Sequence, residues 1–308
     1  MGHSDVEASN GKKNSKLKDY LQLTKPSLNI MVVFSSVISF LLAPGVSSYV
    51  NPWLMSALLF VGGFLVTGSA NAINMAVEKN TDALMKRTAT RPVAAGRMSA
   101  QEAWAFAIIT GLIGVGILGY FFNWISAALA AASVFLYAFV YTPLKKVSAI
   151  AVLVGAFPGA LPCLIGWAAG NDALFEHGHG WRDYGGWVLF GIQFLWQFPH
   201  FWAIAWIAHR DYLGAGFKLL PADKGPTKYT AMQTIIYALF LIPVCSLAYV
   251  IRLSGLTGLI ITTIANIFLV WQCVRLYREM DVKSARRVMF SSYIYLPIVL
   301  LALLADRL

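Results

Sequence analysis

Asn74, Glu78, Asp82 and Lys86 recur every four residues in the stretch NAINMAVEKNTDALMKRTATRP, Asn71 to Pro92. On a helix that spacing stacks them in one nearly vertical row, drifting by about 40° per step. Two carboxylates and an amide oxygen make a hard oxygen set suited to a divalent cation such as Mg2+. That ion commonly takes one or two carboxylates and completes its shell with water and substrate phosphate. Lys86, Arg87 and Arg91 lie just beyond and can hold phosphate oxygens, the arginines through a planar fork. The row therefore reads as a metal–phosphate apparatus, with Asn74, Glu78 and Asp82 as the Mg2+ ligands. The competing reading is a helix end stapled by i,i+4 pairs such as Asp82 with Lys86, each contributing about 0.2–0.5 kcal/mol. Charged groups beside a membrane segment are costly without a role, which favours the first reading.

A second stretch, FLWQFPHFWAIAWIAHRDYLGAGFKLLPADKG from Phe194 to Gly225, sets Trp196, Gln197 and His200 in an aromatic run suited to a flat apolar substrate. A histidine in such a run is as readily a hydrogen-bonded packing residue as a ligand. Pro199 is expected to kink the helix. His209, Arg210 and Asp211 follow near the membrane face, then Lys218 and Lys224. Asp211 is a further candidate metal ligand, and Arg210, Lys218 and Lys224 are candidate phosphate contacts.

The elements that must position these groups are membrane helices. Of the 308 residues 58% are hydrophobic and 12% charged, against about 25% charged in a soluble domain. A span needs about 20 predominantly apolar residues. Nine segments qualify, roughly 27–43, 52–77, 101–121, 124–142, 147–168, 186–208, 230–251, 255–274 and 288–305. Pro143 in YTPLKKVS should break the chain between the fourth and fifth. Gly111, Gly114, Gly116 and Gly119 should let the third span approach a neighbour closely.

The net charge of +10 could suggest a nucleic-acid partner, but the cations come as short clusters between apolar runs, a membrane-orientation pattern. With the N-terminus inside, 21 of the 24 Lys and Arg fall on inside segments and only Arg182, Arg252 and Arg307 outside. The asymmetry implies an N-inside, C-outside chain with both polar stretches opening on the cytoplasmic face. Residues 1–19 are polar and read as a disordered tail leading into a short interfacial helix near Leu17–Leu23, with one intramembrane domain over 20–308. Cys163, Cys245 and Cys273 are scattered, giving no disulfide framework or zinc site. His177 and His179 in the outer loop are a weak metal signal on their own.

The row Asn74-xxx-Glu78-xxx-Asp82, with Lys86-Arg87-Thr88 and Arg91-Pro92 after it, resembles the first metal–diphosphate motif of the UbiA-type intramembrane prenyltransferases. WQFPHF at Trp196–Phe201, LTKP at Leu23–Pro26, YTPLKK at Tyr141–Lys146 and VGAFPGALPCLIGW at Val154–Trp167 resemble the haem O synthase branch of that family. The sequence departs from the pattern at Glu78, where Asp is frequent, at Cys163, where a second Pro is usual, and at Ser27, where a basic residue often follows TKP. Only Asp211 stands where the wider family carries several aspartates, and the haem O branch shares that trait.

The resemblance implies an all-α polytopic bundle of nine helices around a central substrate cavity. It also implies transfer of a farnesyl group from farnesyl diphosphate to a vinyl group of haem B, with Mg2+ as cofactor, in the cell inner membrane. Asn74, Glu78, Asp82 and Asp211 would be catalytic; Lys86, Arg87, Arg91, Lys145, Arg210, Lys218 and Lys224 would bind diphosphate. Trp196, Gln197 and His200 would meet the haem, His200 through either the iron or a propionate. Membrane lipid surrounds such a protein, and a haem A synthase or oxidase-assembly proteins are the partners the family's role suggests. The rivals are a relative using a quinone-precursor aromatic acid, a transporter, and a structural membrane subunit. WQFPHF opposes the first; the clustering of acids at one face opposes the second; the Asn–Glu–Asp row opposes the third.

Overall fold

The structure, a computed structural model, describes residues 15–175, 178, 180–222 and 225–308. Lys224, His177, His179 and most of the N-terminal tail lie outside the described residues. Among the described residues thirteen α-helices follow one another. They are α1 Lys16–Thr24, α2 Pro26–Leu42, α3 Pro52–Val77, α4 Lys79–Ala83, α5 Ala100–Phe121 and α6 Trp124–Phe135. A π-helical run Leu136–Tyr141 joins α6 to α7 Thr142–Leu144, and α8 Ala151–Asn171, α9 Gly185–Ile207 and α10 His209–Gly214 come next. The last three are α11 Lys228–Val250, α12 Leu256–Glu279 and α13 Val282–Ala305.

Among the described residues eight helical segments are long and apolar enough to cross a bilayer, and the bent pair α1–α2 makes up to nine. The chain is a multi-pass membrane protein, and the nine segments expected from apolar run length match these helices closely. Polar caps set the starts: Ser15, Asn51, Ser99, Asn123, Thr227 and Asp281 each accept a backbone N–H of the first turn. Such a cap contributes about 0.5–2 kcal/mol. The helix α1 begins at Lys16, inside the stretch expected to be disordered tail. It is held by Arg97, whose guanidinium pairs with Asp19 at 2.9 Å and donates to Gln22 Oε1 at 3.0 Å.

The wrapped centre is α8 and α9. Their spans are 72% and 61% buried within the protein, against 22% for α5, whose Ile108, Leu112 and Ile113 face outward. A backbone polar group in hydrocarbon must find a partner inside the protein, and the inner helices are tied that way. Gln193 Nε2 donates to Gly159 O at 2.7 Å, Ser39 Oγ to Cys163 O at 2.6 Å, and Asn123 Nδ2 to Ala168 O at 2.7 Å. The expected close approach of the third span is seen at Gly114. A Cβ there would lie 2.8 Å from Gly62 O and 2.9 Å from Val66 N on α3, whereas Gly116 faces open space. The three cysteines are buried free thiols.

One proline expectation is corrected. Pro143 does not end its span: it sits in the first turn of α7, where a missing N–H is tolerated. The irregularity falls upstream, where Thr142 N–H reaches back five residues to Tyr137 O and its Oγ1 donates to the same carbonyl at 2.9 Å. Pro199 lies within α9, which runs unbroken from Gly185 to Ile207.

The three cations assigned to the outer side meet at one end of the bundle. Arg182 donates to Arg252 O at 2.9 Å and to Leu308 O, and Arg307 bridges to Ser254 and donates to Leu41 O.

Candidate functional site

Asn74 closes α3, and Glu78 leaves helical geometry at φ −88° and ψ 9° before α4 carries Asp82. The four-residue row survives that break: Glu78 N–H donates to Asn74 O at 2.9 Å and Asp82 N–H to Glu78 O at 2.7 Å. All three side chains are buried, Asp82 to 1% exposure.

Each member of the row already faces a cation. Lys25 Nζ donates to Asn74 Oδ1 at 3.1 Å, Lys145 Nζ stands 2.5 Å from Glu78 Oε1, and Arg91 Nη1 donates to both Asp82 oxygens at 2.8 and 2.7 Å. Arg91 is returned to Asp82 by a turn in which Thr88 Oγ1 donates to Asp82 O at 2.9 Å and Arg91 N–H to Thr88 O at 2.9 Å. Thr142 accepts from Asn74 Nδ2 at 3.3 Å, so the end of the π-helical run fixes the amide with its oxygen toward Lys25.

The loop after α9 closes over this group. Met85 packs with Ala215 and Phe217, Arg87 donates to Tyr212 OH at 3.1 Å, and Lys218 N–H donates to Lys145 O at 2.8 Å. Lys145 Nζ lies 4.9 Å from the Tyr141 ring centre and 5.3 Å from that of Phe217, within cation–π range. Burial lowers the Lys145 ammonium pKa, and the Glu78 carboxylate beside it pulls the other way. Burial raises the Tyr212 phenol, against the Arg87 and Arg91 charges.

Of the residues expected from sequence, Asn74, Glu78, Asp82, Arg91 and Lys145 converge, and Arg87 joins them through Tyr212. Lys86, Arg210 and Lys218 have exposed side chains. Asp211 is half-buried and joins no cluster: among the described residues no three His, Cys, Asp or Glu side chains come together as a metal-holding group. The row and its surroundings still fit Mg2+ chemically. They offer only oxygen donors, they already attract cations, and so small a protein share suits an ion that keeps water and phosphate ligands. Sequence reasoning missed Lys25, Thr142, Tyr141 and Tyr212 as site residues, although LTKP and YTPLKK contain the first three.

His200 and Trp196 occupy a second, deeper position on α9, two turns before its end at Ile207. The rings stack at 4.9 Å and 15°, Tyr293 of α13 meets His200 edge-on at 4.7 Å, and Trp196 Nε1 donates to Ser292 O at 2.8 Å. Gln197 is committed to packing, its Nε2 donating to Ala156 O at 3.0 Å and to Gln193 O at 3.1 Å.

The model of the UbiA prenyltransferase family matches residues 32–294. A protoheme IX farnesyltransferase of Cytophaga hutchinsonii is 42% identical over 293 residues, covering 95% of this chain and 99% of that protein. The protein of the same name from Flavobacterium psychrophilum is 39% identical and covers 95% of each. Among solved structures, a digeranylgeranylglyceryl phosphate synthase superposes with a TM-score of 0.75 at 22% identity, over 94% of this chain and 98% of that one. A UbiA homologue from Archaeoglobus fulgidus bound to DMAPP and Mg2+ gives a TM-score of 0.65 at 13% identity, over 92% and 99%. At those identities the two structures speak to the fold alone.

Proposed function

The chain belongs to the UbiA prenyltransferase family, and from that premise we propose that it transfers the farnesyl group of farnesyl diphosphate to a vinyl group of haem B, with addition of water, to give haem O. The reading is supported above all by the convergence of Asn74, Glu78 and Asp82 with Lys25, Lys145 and Arg91 at one end of the bundle. This occurs in a chain alike over nearly its whole length to proteins named protoheme IX farnesyltransferase.

The chemistry follows from those residues. The farnesyl C1–O bond breaks and the electron pair leaves with diphosphate. Lys25, Lys145 and Arg91, which pair with the row in this structure, are the cations that turn to that charge once Mg2+ takes the carboxylates. Mg2+, held by Asn74, Glu78 and Asp82, would supply the remaining neutralisation of the leaving group. Tyr141 and Phe217, which already hold the Lys145 ammonium against their faces, offer the same electron-rich surfaces to an allylic cation. The vinyl carbon of the haem then forms the new carbon–carbon bond. Water adds to the resulting porphyrin-stabilised cation and loses a proton, leaving a hydroxyethylfarnesyl group. Trp196 and His200 are the proposed haem contacts. The positive-charge asymmetry supports an orientation with the diphosphate end toward the cytoplasm and the N-terminus inside; in this reading residues 20–308 form one intramembrane unit of the inner membrane.

Membranes containing the protein, incubated with haem B, farnesyl diphosphate and Mg2+, should yield haem O by mass, and chelation of Mg2+ should stop it. A prenylated aromatic acid in place of haem O would transfer the assignment to a quinone-pathway prenyltransferase.

A further inference from the structure

Ser292, on α13, lies between His200 and a backbone carbonyl. Its Oγ is 2.8 Å from His200 Nδ1 and donates to Met289 O at 2.7 Å. A serine hydroxyl has one proton and two lone pairs. If that proton went to the imidazole, Oγ and the Met289 carbonyl would face each other at 2.7 Å as two acceptors. If it goes to Met289 O, Oγ accepts from Nδ1–H and both contacts are satisfied. The second arrangement satisfies both contacts, and it assigns the neutral ring's proton to Nδ1 and a lone pair to Nε2.

Nε2 is also free. It makes no hydrogen bond among the described residues, and it is not one of the sealed polar atoms, such as Asn29 Oδ1 and Trp167 Nε1, that lack a partner. His200 is buried, with Trp196 covering one face of the ring and Tyr293 meeting it edge-on. An imidazole with one nitrogen donated to a fixed acceptor and the other bare is how a histidine is prepared as a metal ligand, the donated bond fixing the tautomer and the ring's direction.

We propose that His200 binds the haem substrate through Nε2 to its iron, and that Ser292 is the positioning residue that sets this tautomer. A propionate contact requires a proton on Nε2 and is incompatible with it. The inference rests on the haem O reading but can fail separately from it.

The test is haem B titrated into the full-length purified protein without farnesyl diphosphate. The readouts are the ferrous iron–histidine stretching band and the haem Kd, and haem O formation is assayed in parallel. Wild type should show the band. His200→Ala should lose it and recover an iron–imidazole band when free imidazole is added. Ser292→Ala should shift or weaken the band and raise the haem Kd about 10–100-fold, and Ser292→Thr, which keeps the hydroxyl, should restore both. A band unchanged in His200→Ala overturns the inference. So does Ser292→Ala that matches wild type in band and Kd. If those results coincide with normal haem O formation, the enzyme assignment stands and only the ligand role of His200 falls. If wild type forms no haem O, the assignment itself falls.

Discussion

The cations that face Asn74, Glu78 and Asp82 hold the places that a metal and a diphosphate would take, and Lys145→Met separates the two consequences of that arrangement. Lys145 and Glu78 side chains are 9% and 7% exposed and 2.5 Å apart. Removing one partner of so buried a pair leaves an uncompensated charge and destabilises by about 3–5 kcal/mol. An opposite charge at that distance is also a direct competitor for a metal on Glu78. A hydrogen bond to a charged partner contributes about 1.5–3 kcal/mol, so its loss should tighten Mg2+ binding by roughly tenfold to a hundredfold. The variant should therefore be less stable than wild type without metal, and should recover by about 2.7 kcal/mol when Mg2+ is present at 100 times its Kd. Turnover should fall, because the leaving diphosphate has lost a cation. Unfolding in detergent with and without Mg2+, together with Mg2+ titration, measures all of this. Lys218→Met is the control, since that exposed side chain joins the site only through its backbone N–H. A Lys145→Met protein that is as stable as wild type, or that binds Mg2+ no more tightly, would refute the view that Lys145 keeps the metal's place.

Three further outcomes follow from the same structure. Asp82→Ala should abolish haem O formation while the protein still inserts, measured by mass and by membrane fractionation, since the residue is both a proposed metal ligand and the partner of Arg91. Gly159→Ala should lower the unfolding midpoint, because its Cβ would collide with the Gln197 side-chain amide, which is held by bonds to Ala156 O and Gln193 O, in the interface between α8 and α9; such overpacking costs about 1–3 kcal/mol. Ser99→Ala removes the cap of α5 far from any proposed substrate contact and should cost about 1 kcal/mol of stability with turnover unchanged.

The membrane helices were legible because the bilayer sets both length and hydrophobicity, so run length alone placed the spans within a few residues. The acidic row was legible because its period matches a helix, and the pairing of the carboxylates with Arg91 and Lys145 fits the diphosphate roles expected of those cations. Lys25, Thr142 and Tyr212 were not seen as site residues because their contacts cross between segments. Thr142 reaches Asn74 over 68 positions and Tyr212 reaches Arg87 over 125, and no local period records that. Asp211 stands apart from the row for a related reason: being acidic and near the face does not decide which way a side chain on a six-residue helix points. The π-helical run was hidden because the visible signal, Pro143, marks its downstream end and not its seat.

That run also makes the site sensitive to how the helix before it is wound. A π turn is an α-helix with one surplus residue, and such turns occur frequently at functional sites. Winding the segment between Leu136 and Tyr141 as continuous α-helix at unchanged length would swing everything beyond it by about 100°. Thr142 would leave Asn74, and Lys145 would leave Glu78. The π turn thus absorbs one extra residue in the span and holds the two halves of the candidate site in register, Thr142 on Asn74 and Lys145 on Glu78.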